Sequence, residues 1–533
     1  MKAHLLFEAR DHCFDGPLPP NHEDLVQDLE LATLFSTMAR GDRFLAAVAK
    51  SVVLASVDDP EVIRYRQDVL ADCLAHPDVV HELYDVSVHA LEDKRGIWGY
   101  STRFPASILS GALSQLEASV VWLEQLRAFA DAHVATFRSQ GMRTLLHTLQ
   151  RDLDDDYLAT VDRHLKQLRF RGGELISMEL DRDNSGINYV LRAPGEPQGR
   201  WKERLGLGAR RSYSFSVAPR DEAGANALAD IVSRGVNLVA NAAAQSADHI
   251  MSYFSMLRSE LGFYLGCVNL HAALTARGQP VCMPDPEPWD RAARSCIDLR
   301  DASLALLAEG PVVGNDVDAD GKTLLIVTGA NSGGKSTFLR SVGQAQLMLQ
   351  CGMFVVAASY RASVAEATFT HFIREEDQTM TSGRLDEELS RMSTIADQLR
   401  PQSLVLFNES FAATNEREGS EIGRHVVRAL LESDVRVCFV THQFDFADGF
   451  RRERAGSTLF LRAVREDDGR RTFKLQVADP LPTSFGEDLY WRIGGWLGED
   501  GPSAPGAVVP AGPPAGAPVA GPVGGPEQRD PAA

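Results

Sequence analysis

The chain has 533 residues, of which 44% are hydrophobic and 24% charged, and it carries a formal net charge of −19. That length accommodates roughly two to four domains, each large enough for a core of its own. So acidic a chain excludes a whole-surface affinity for nucleic acid, and any such contact must come from a local basic patch. No apolar run of bilayer-spanning length stands out, and Glu8 is an acid too early for a signal peptide, so no membrane partner is expected. Seven cysteines, scattered, odd in number and without metal-ligand spacing, point to reduced thiols and a cytoplasmic location. Cys351 and Cys438 sit in apolar patterns and are expected to be small core residues.

Up to about Arg169 the sequence reads as helical. Leu31, Leu34, Phe35 and Met38 fall at i, i+3, i+4 and i+7, one face of a helix. Asp59 followed by Pro60 is an N-cap with proline at N1, opening a helix with Val62, Tyr65, Val69 and Cys73 on one side. Leu113, Leu116, Val120 and Leu123 alternate as in a long packed helix. From Glu174 to Val217 the period changes. Leu175–Leu180 and Ile187–Leu191 flank Asp183-Asn-Ser-Gly, which predicts a hairpin, and Ser212–Val217 is a further strand expectation. Around these strands cluster Lys166, Arg169, Arg171, Arg200, Lys202, Arg204, Arg210 and Arg211, with Trp201 and Tyr213 among them. They form the best phosphate-contacting patch for DNA in so acidic a chain; the alternative is a solvated hairpin rim. Asp221 to about Leu274 is helical again and long enough to couple the hairpin mechanically to the C-terminal half of the chain. Gln279–Trp289 is dense in proline and reads as a linker.

Leu324 to Thr337 then reads strand, Gly-x-x-x-x-Gly-Lys-Ser, helix. This is a P-loop in its confirming context, and it implies that a nucleoside triphosphate is bound. Backbone N–H groups from Ser332 to Lys335 can wrap a phosphate at the helix N-terminus. Lys335 would reach the β- and γ-phosphates, and the Ser336 hydroxyl would ligate Mg²⁺. Ser403-Leu-Val-Leu-Phe-Asn-Glu is an apolar strand that delivers two polar residues at its C-terminal end, where ligand sites of α/β sheets lie. Glu409 suits a base for the attacking water. Asn408 stands where an aspartate usually serves the Mg²⁺ shell; it keeps an acceptor oxygen and loses the charge. A third strand, Val435–Val440, ends in Thr441-His442, so His442 suits a γ-phosphate sensor. From Gly501 the composition is Pro, Gly, Ala and Val with almost no charge, a tail expected not to fold.

The order Thr328-Gly-Ala-Asn-Ser-Gly-Gly-Lys-Ser-Thr337, Ser382-Gly-Arg384, Ser403-Leu-Val-Leu-Phe-Asn-Glu409, a threonine-bearing loop and Phe439-Val-Thr-His442 resembles the ATPase domain of the MutS mismatch-repair family. Ala330 and Ser332 depart from the family's usual loop, and Asn331 matches it. Thr483-Ser-Phe-Gly-Glu-Asp-Leu489 resembles a family segment after the last strands, and Asp59–Asp68, with its Arg-Gln pair, resembles the family's helical core. The resemblance implies an ABC-class ATPase using ATP and Mg²⁺, with Gly329, Ala330, Asn331, Ser332, Gly333, Gly334, Lys335, Ser336 and Thr337 around the phosphates. It places Pro311–Asp316 against the adenine, with Val312, Val313 and Asn315 as the residues concerned. It also implies a homodimer in which Ser382, Gly383, Arg384, Thr414 and Asn415 face the partner copy, although Leu385-Asp-Glu-Glu replaces the family's Ser-Thr-Phe after the signature. The stretch before the helical core is too short for the family's mismatch-reading and connector domains, so a shortened member acting on DNA without mismatch recognition is implied.

The fold expectation is therefore α+β and multidomain: an N-terminal segment (1–24), an all-α lever region (25–279) with a β-hairpin insertion (172–217), a linker (280–300), an α/β P-loop ATPase domain (301–497) and the tail (498–533). Two rivals to a repair ATPase remain at this level. One is an ATP-switched dimeric scaffold with slow hydrolysis. The other is a DNA-end or chromosome-structure ATPase, which would need a long coiled coil between Gly334 and Asn408, where only a domain-internal spacing exists.

Overall fold

The apolar spacing of the first third builds helices capped by the residues that precede them. The computed structural model of the chain describes residues 2–93, 104–170, 173–192, 214–374, 383–466 and 470–482. Its helices α1 (His22–Asp28), α2 (Leu31–Ala39), α3 (Arg43–Leu54), α4 (Pro60–Ala75), α5 (Pro77–Asp93), α6 (Pro105–His133), α7 (Gln140–Asp152) and α8 (Asp155–Leu168) follow in order. Asp42, Asp59, Ser139 and Asp154 each accept a first-turn N–H with their side chains, a contribution of about 1 kcal/mol apiece. Leu31, Leu34, Phe35 and Met38 are all buried on α2. Contrary to the expectation of no bilayer-length run, α6 is long and apolar enough to cross a membrane by length and composition. Its apolar face is packed, however, with Leu109, Leu113 and Leu116 buried against other helices. Glu117, which binds Arg169, is exposed one turn after Leu113.

Strands β1 (Ile176–Leu180) and β2 (Gly186–Leu191) pair antiparallel as the expected hairpin. Ser214–Val217 form no strand, which corrects the described part of that expectation; Ser212 and Tyr213 lie outside the described residues. Alternation alone does not make a strand. Helix α9 (Glu222–Ala276) has 55 residues and is about 80 Å long at the α-helical rise. Its first half lays Val236, Ala240, Ala243 and Ala247 against α6 and α8. In its second half Phe254, Leu257, Leu261, Phe263, Tyr264 and Leu270 are wholly buried.

The stretch 280–300, expected as a linker, instead holds β3 (Asp285–Glu287) and β4 (Arg294–Leu299). Proline density misleads here because Pro286 sits in an edge strand, where no ladder donor is missed. Then come α10 (Ala302–Leu307), β5 (Asn315–Asp318), β6 (Leu324–Gly329), α11 (Lys335–Gln350), β7 (Ser359–Ser363), β8 (Thr368–Phe372), α12 (Arg384–Gln398), β9 (Leu404–Asn408), α13 (Glu416–Glu432), β10 (Arg436–Val440), α14 (Phe444–Arg454), β11 (Thr458–Arg465) and β12 (Arg471–Val477). One sheet has the order β3-β7-β4-β5, the other β12-β11-β6-β10-β9-β8. In the larger sheet all neighbours are parallel except β11 and β12. Its central strands β6, β10 and β9 are apolar on both faces because both are covered. Leu325 and Val327 join the core shared with the helical region, while Leu324 and Ile326 join a second core with Phe407, Phe439, Phe446 and Phe450. Val327, Val440 and Asn408 occupy one rung across β6, β10 and β9.

The N-terminal segment belongs to this fold and is no appendage. Leu5 and Leu6 are fully buried, and the Leu5 N–H donates to the buried Glu260 at 2.6 Å. Arg66, of the Arg-Gln pair on α4, is fully buried. Its Nε donates to the Leu6 carbonyl at 2.8 Å and its Nη1 to the Cys351 carbonyl at 3.4 Å, just past the end of α11. Gln67 donates to the Pro284 carbonyl at 2.8 Å. Gly352, with φ +82°, allows this approach, since a Cβ there would lie 2.4 Å from that of Arg66. One side chain thus joins the N-terminal segment, the helical region and the P-loop helix. Arg66→Ala should lower the free energy of unfolding by roughly 3 kcal/mol, read from urea denaturation; a change under about 1 kcal/mol would show that the node is not stabilising.

Candidate active site

The tight turn after β6 is set by backbone geometry. Gly329 has φ +109° and Gly334 φ +87°, both in the region open to glycine. A Cβ on Gly329 would also lie 2.8 Å from the Ala463 nitrogen of β11. The loop closes onto α11, whose first residue Lys335 is 4% exposed. Its ammonium donates to the Gly329 and Ala330 carbonyls, each at 3.1 Å. Burial pushes Lys335 below its ordinary pKa, and the Glu409 carboxylate opposes that shift. Asn331 lends its carbonyl to Arg471 of β12 at 3.3 Å.

The strand order brings the other residues to this loop. Ser336 donates from Oγ to Asn408 Oδ1 at 2.9 Å, spanning β10. Glu409 follows immediately, with φ +54°, and Phe411 has φ +61°. Two left-handed non-glycine residues in three cost of order 1–3 kcal/mol each and persist only where neighbours enforce them. The Glu409 N–H donates to the Val440 carbonyl at 2.8 Å. The Glu409 carboxylate stands 3.8 Å from His442 Nδ1. Pairing with His442 holds Glu409 below the ordinary carboxylate range against its partial burial, and the same pairing raises His442.

Beside these groups lies a cavity of about 470 Å³, within the range of small-molecule sites. Ser332–Thr337 and Glu409 line its polar end; Leu304, Ala308, Pro311, Val312, Val313 and Phe473 line its apolar end. The chemistry fits a nucleotide, with phosphates toward the loop and a flat apolar base toward Val313 and Phe473. Asn315 also borders the cavity, but its amide is engaged elsewhere: Oδ1 accepts from the Leu475 N–H at 2.7 Å and Nδ2 donates to the Phe473 carbonyl at 3.2 Å. It holds β12, and with it Phe473, in place. Phe473 was not legible in advance, because its approach over Gly334 depends on its own φ of +59°.

The donor set also fits Mg²⁺. Ser336 Oγ and Asn408 Oδ1, 2.9 Å apart, are two adjacent hard oxygen donors of the kind that ion takes. Among the described residues no group of three or more His, Cys, Asp or Glu side chains could hold a metal. The ion would therefore need phosphate and water oxygens to complete its shell.

The residues expected at a dimer contact are not drawn into the cavity. Gly383 and Arg384 begin α12 in exposed positions, and Ser382 lies outside the described residues. Asn415 caps α13 by accepting the Glu418 N–H at 3.0 Å, and Thr414 donates to the Glu418 carboxylate at 2.7 Å. Of the basic patch, Arg169 donates to Glu117 and Ser114 and Lys166 to Asp162, all within the protein. Arg171, Arg200, Lys202, Arg204, Arg210 and Arg211 lie outside the described residues, as does Thr483–Leu489.

The Glu409–His442 pair makes its strongest contribution in a definite pH window. A raised histidine contributes stability below its unfolded pKa, lost as pH rises through the folded value. A depressed carboxylate contributes above its unfolded pKa, lost as pH falls through the folded value. The two overlap between about pH 4.5 and 6.5. In Glu409→Gln the His442 imidazole should titrate at lower pH than in the wild type, followed by NMR of the ring protons; coincident curves would remove the pairing.

Two family descriptions match the chain: the MutS2 N-terminal domain over residues 58–277 and MutS domain V over residues 325–487. The first runs from α4 to the end of α9, and the second begins at β6. Among curated proteins, the DNA mismatch repair protein MutS of Porphyromonas gingivalis is 33% identical over 190 residues, 32% of this chain and 21% of that protein. The DNA mismatch repair protein MutS of Chloroflexus aurantiacus is 30% identical over 186 residues, 32% of this chain and 19% of that protein. The MutS protein homolog 4 of Mus musculus is 33% identical over 135 residues, 25% of this chain and 14% of that protein. The matched stretch thus spans about a fifth or less of these relatives' own length.

Proposed function

This chain belongs to the MutS family, and on that premise we propose that it is an ATPase that converts ATP and water to ADP and phosphate and acts on DNA as a homodimer in the cytoplasm. The observation that carries the reading is the meeting of Lys335, the Ser336–Asn408 pair and the Glu409–His442 pair at the C-terminal ends of β6, β9 and β10. The triphosphate enters along the loop, where N–H groups and the α11 N-terminus favour negative charge. Lys335 exchanges its two carbonyl partners for phosphate oxygens. Ser336 and Asn408 would hold Mg²⁺ through their side-chain oxygens, and the ion would neutralise charge on the phosphates. Glu409, kept ionised by His442 and Lys335, takes a proton from water as its oxygen attacks the γ-phosphorus and the bond to ADP breaks. His442, exposed and held toward its charged form by Glu409, faces the leaving phosphate.

Glu409→Gln should leave ATP bound while lowering steady-state turnover by about 10²-fold or more; equal turnover in both proteins would remove Glu409 from the role. DNA as partner is supported by the likeness to DNA mismatch repair proteins and by the basic residues that flank the hairpin in sequence, which suit contacts to the DNA backbone. Binding to duplex, branched and single-stranded DNA should weaken steeply with salt, and no binding even at low salt would sink that part of the reading.

A second reading, a dimeric scaffold switched by ATP with slow hydrolysis, is favoured by one observation: Asn408 is neutral where charge would hold the ion. Asn408→Asp should lower the Mg²⁺ concentration for half-maximal turnover by roughly tenfold. Brisk wild-type turnover at low Mg²⁺ would exclude the scaffold.

A further inference from the structure

The turn that carries Glu409 is held from beneath by a helix with no other part in the site. Phe411 closes this turn with a left-handed backbone, and neither of its main-chain groups pairs within the sheet. Its carbonyl accepts from Gln443 Nε2 at 3.1 Å, one residue beyond His442. Its N–H donates to the carboxylate of Glu388, a buried residue on α12. The same helix grips the turn a second time. The Glu388 carbonyl accepts from His371 Nε2 at 3.0 Å, and the Ser410 hydroxyl lies 2.7 Å from His371 Nδ1 and 2.6 Å from the His371 carbonyl. Burial holds His371 down to about 4, so its ring is neutral and its one N–H is committed to α12. Arg391, a turn further along, donates to the Phe372 carbonyl at 2.9 Å and fixes the helix to β8.

Three tethers therefore aim Glu409. Val440 and Gln443 act from the β10 end of the sheet. Glu388 acts from a separate helix whose N-terminus, Gly383-Arg384, is exposed. We propose that Glu388 is a positioning residue for Glu409: by fixing the Phe411 amide it makes the aim of the Glu409 carboxylate depend on the seating of α12. The inference rests on the reading of Glu409 as the base that activates water. It assigns Glu388 to the rate of hydrolysis and not to nucleotide binding, because Glu388 does not border the cavity.

The test uses the full chain and compares Glu388→Ala, Glu388→Asp and Glu388→Gln with wild type and Glu409→Gln, measuring kcat and, separately, nucleotide affinity. The alanine variant loses the acceptor, and the aspartate variant keeps the charge one methylene short of the amide. Both should lower kcat by about 10- to 100-fold, the penalty for a base misplaced by around 1 Å, with affinity within about threefold of wild type. The glutamine variant still offers a carbonyl oxygen to Phe411 and should stay within about threefold of wild-type kcat. A merely structural glutamate would lower affinity and turnover together, or leave glutamine as impaired as alanine; either result overturns the inference. If the alanine variant does not fold, the aspartate and glutamine pair decides. If Glu409→Gln turns over like wild type, the reading of the site fails and the inference with it. If Glu409→Gln is inactive while the Glu388 variants match wild type, the inference alone falls.

Discussion

A single rung of a parallel sheet sets the chemistry of this protein. Val327, Val440 and Asn408 stand side by side on β6, β10 and β9, so the residues that follow each of them emerge at the same height. Hydrogen-bond register in a parallel sheet is shared by all strands, and a slip of one residue would turn each strand's buried side chains to the other face. Because both faces of these strands are apolar and covered, the register is selected by the fit of particular side chains into two close-packed cores. The P-loop, the Asn408–Glu409 turn and Thr441–His442 therefore converge without any contact among their side chains having to bring them together. The Ser336–Asn408 bond is a product of that alignment and reports it.

The features on this rung were the most legible from the sequence, for a physical reason. Buried parallel strands are unbroken apolar runs, and the glycines before Lys335 announce a backbone that other residues adopt at a cost. The helices of the first third were readable from their spacing and from Asp59-Pro60. What could not be read depends on distant chain. The β3–β4 stretch looks like a proline linker until β7 lies beside it. Ser214–Val217 alternate like a strand but pair with no strand among the described residues. Arg66 looks like one more surface arginine on an amphipathic helix, and only the arrival of Leu6 and Cys351 makes its burial tolerable. Phe473 and Glu388 gain their significance from left-handed backbones at Phe473 and Phe411, which local pattern does not signal.

Asn408 gives this site a different electrostatic balance from one with an aspartate on β9. The side-chain oxygen remains, and its distance from Ser336 suits a divalent cation, but the negative charge is gone. Glu409 is then the anion whose field acts on the Lys335 ammonium. Its charge has two neighbours to serve, the lysine on one side and His442 on the other. The carboxylate proposed as base thus also balances the charge of the loop. Replacing it removes both effects together, which is why nucleotide affinity and turnover need separate measurement.

The length of α9 has a consequence in plain geometry. Its second half is locked in the core that continues into the P-loop face of the large sheet, while its first half carries alanines against α6 and α8. The first half of α9 therefore carries α6 and α8 about 40 Å out from the core that anchors its second half. A tilt of about 5° at that anchor would move the tip, and the helices packed on it, through about 3.5 Å.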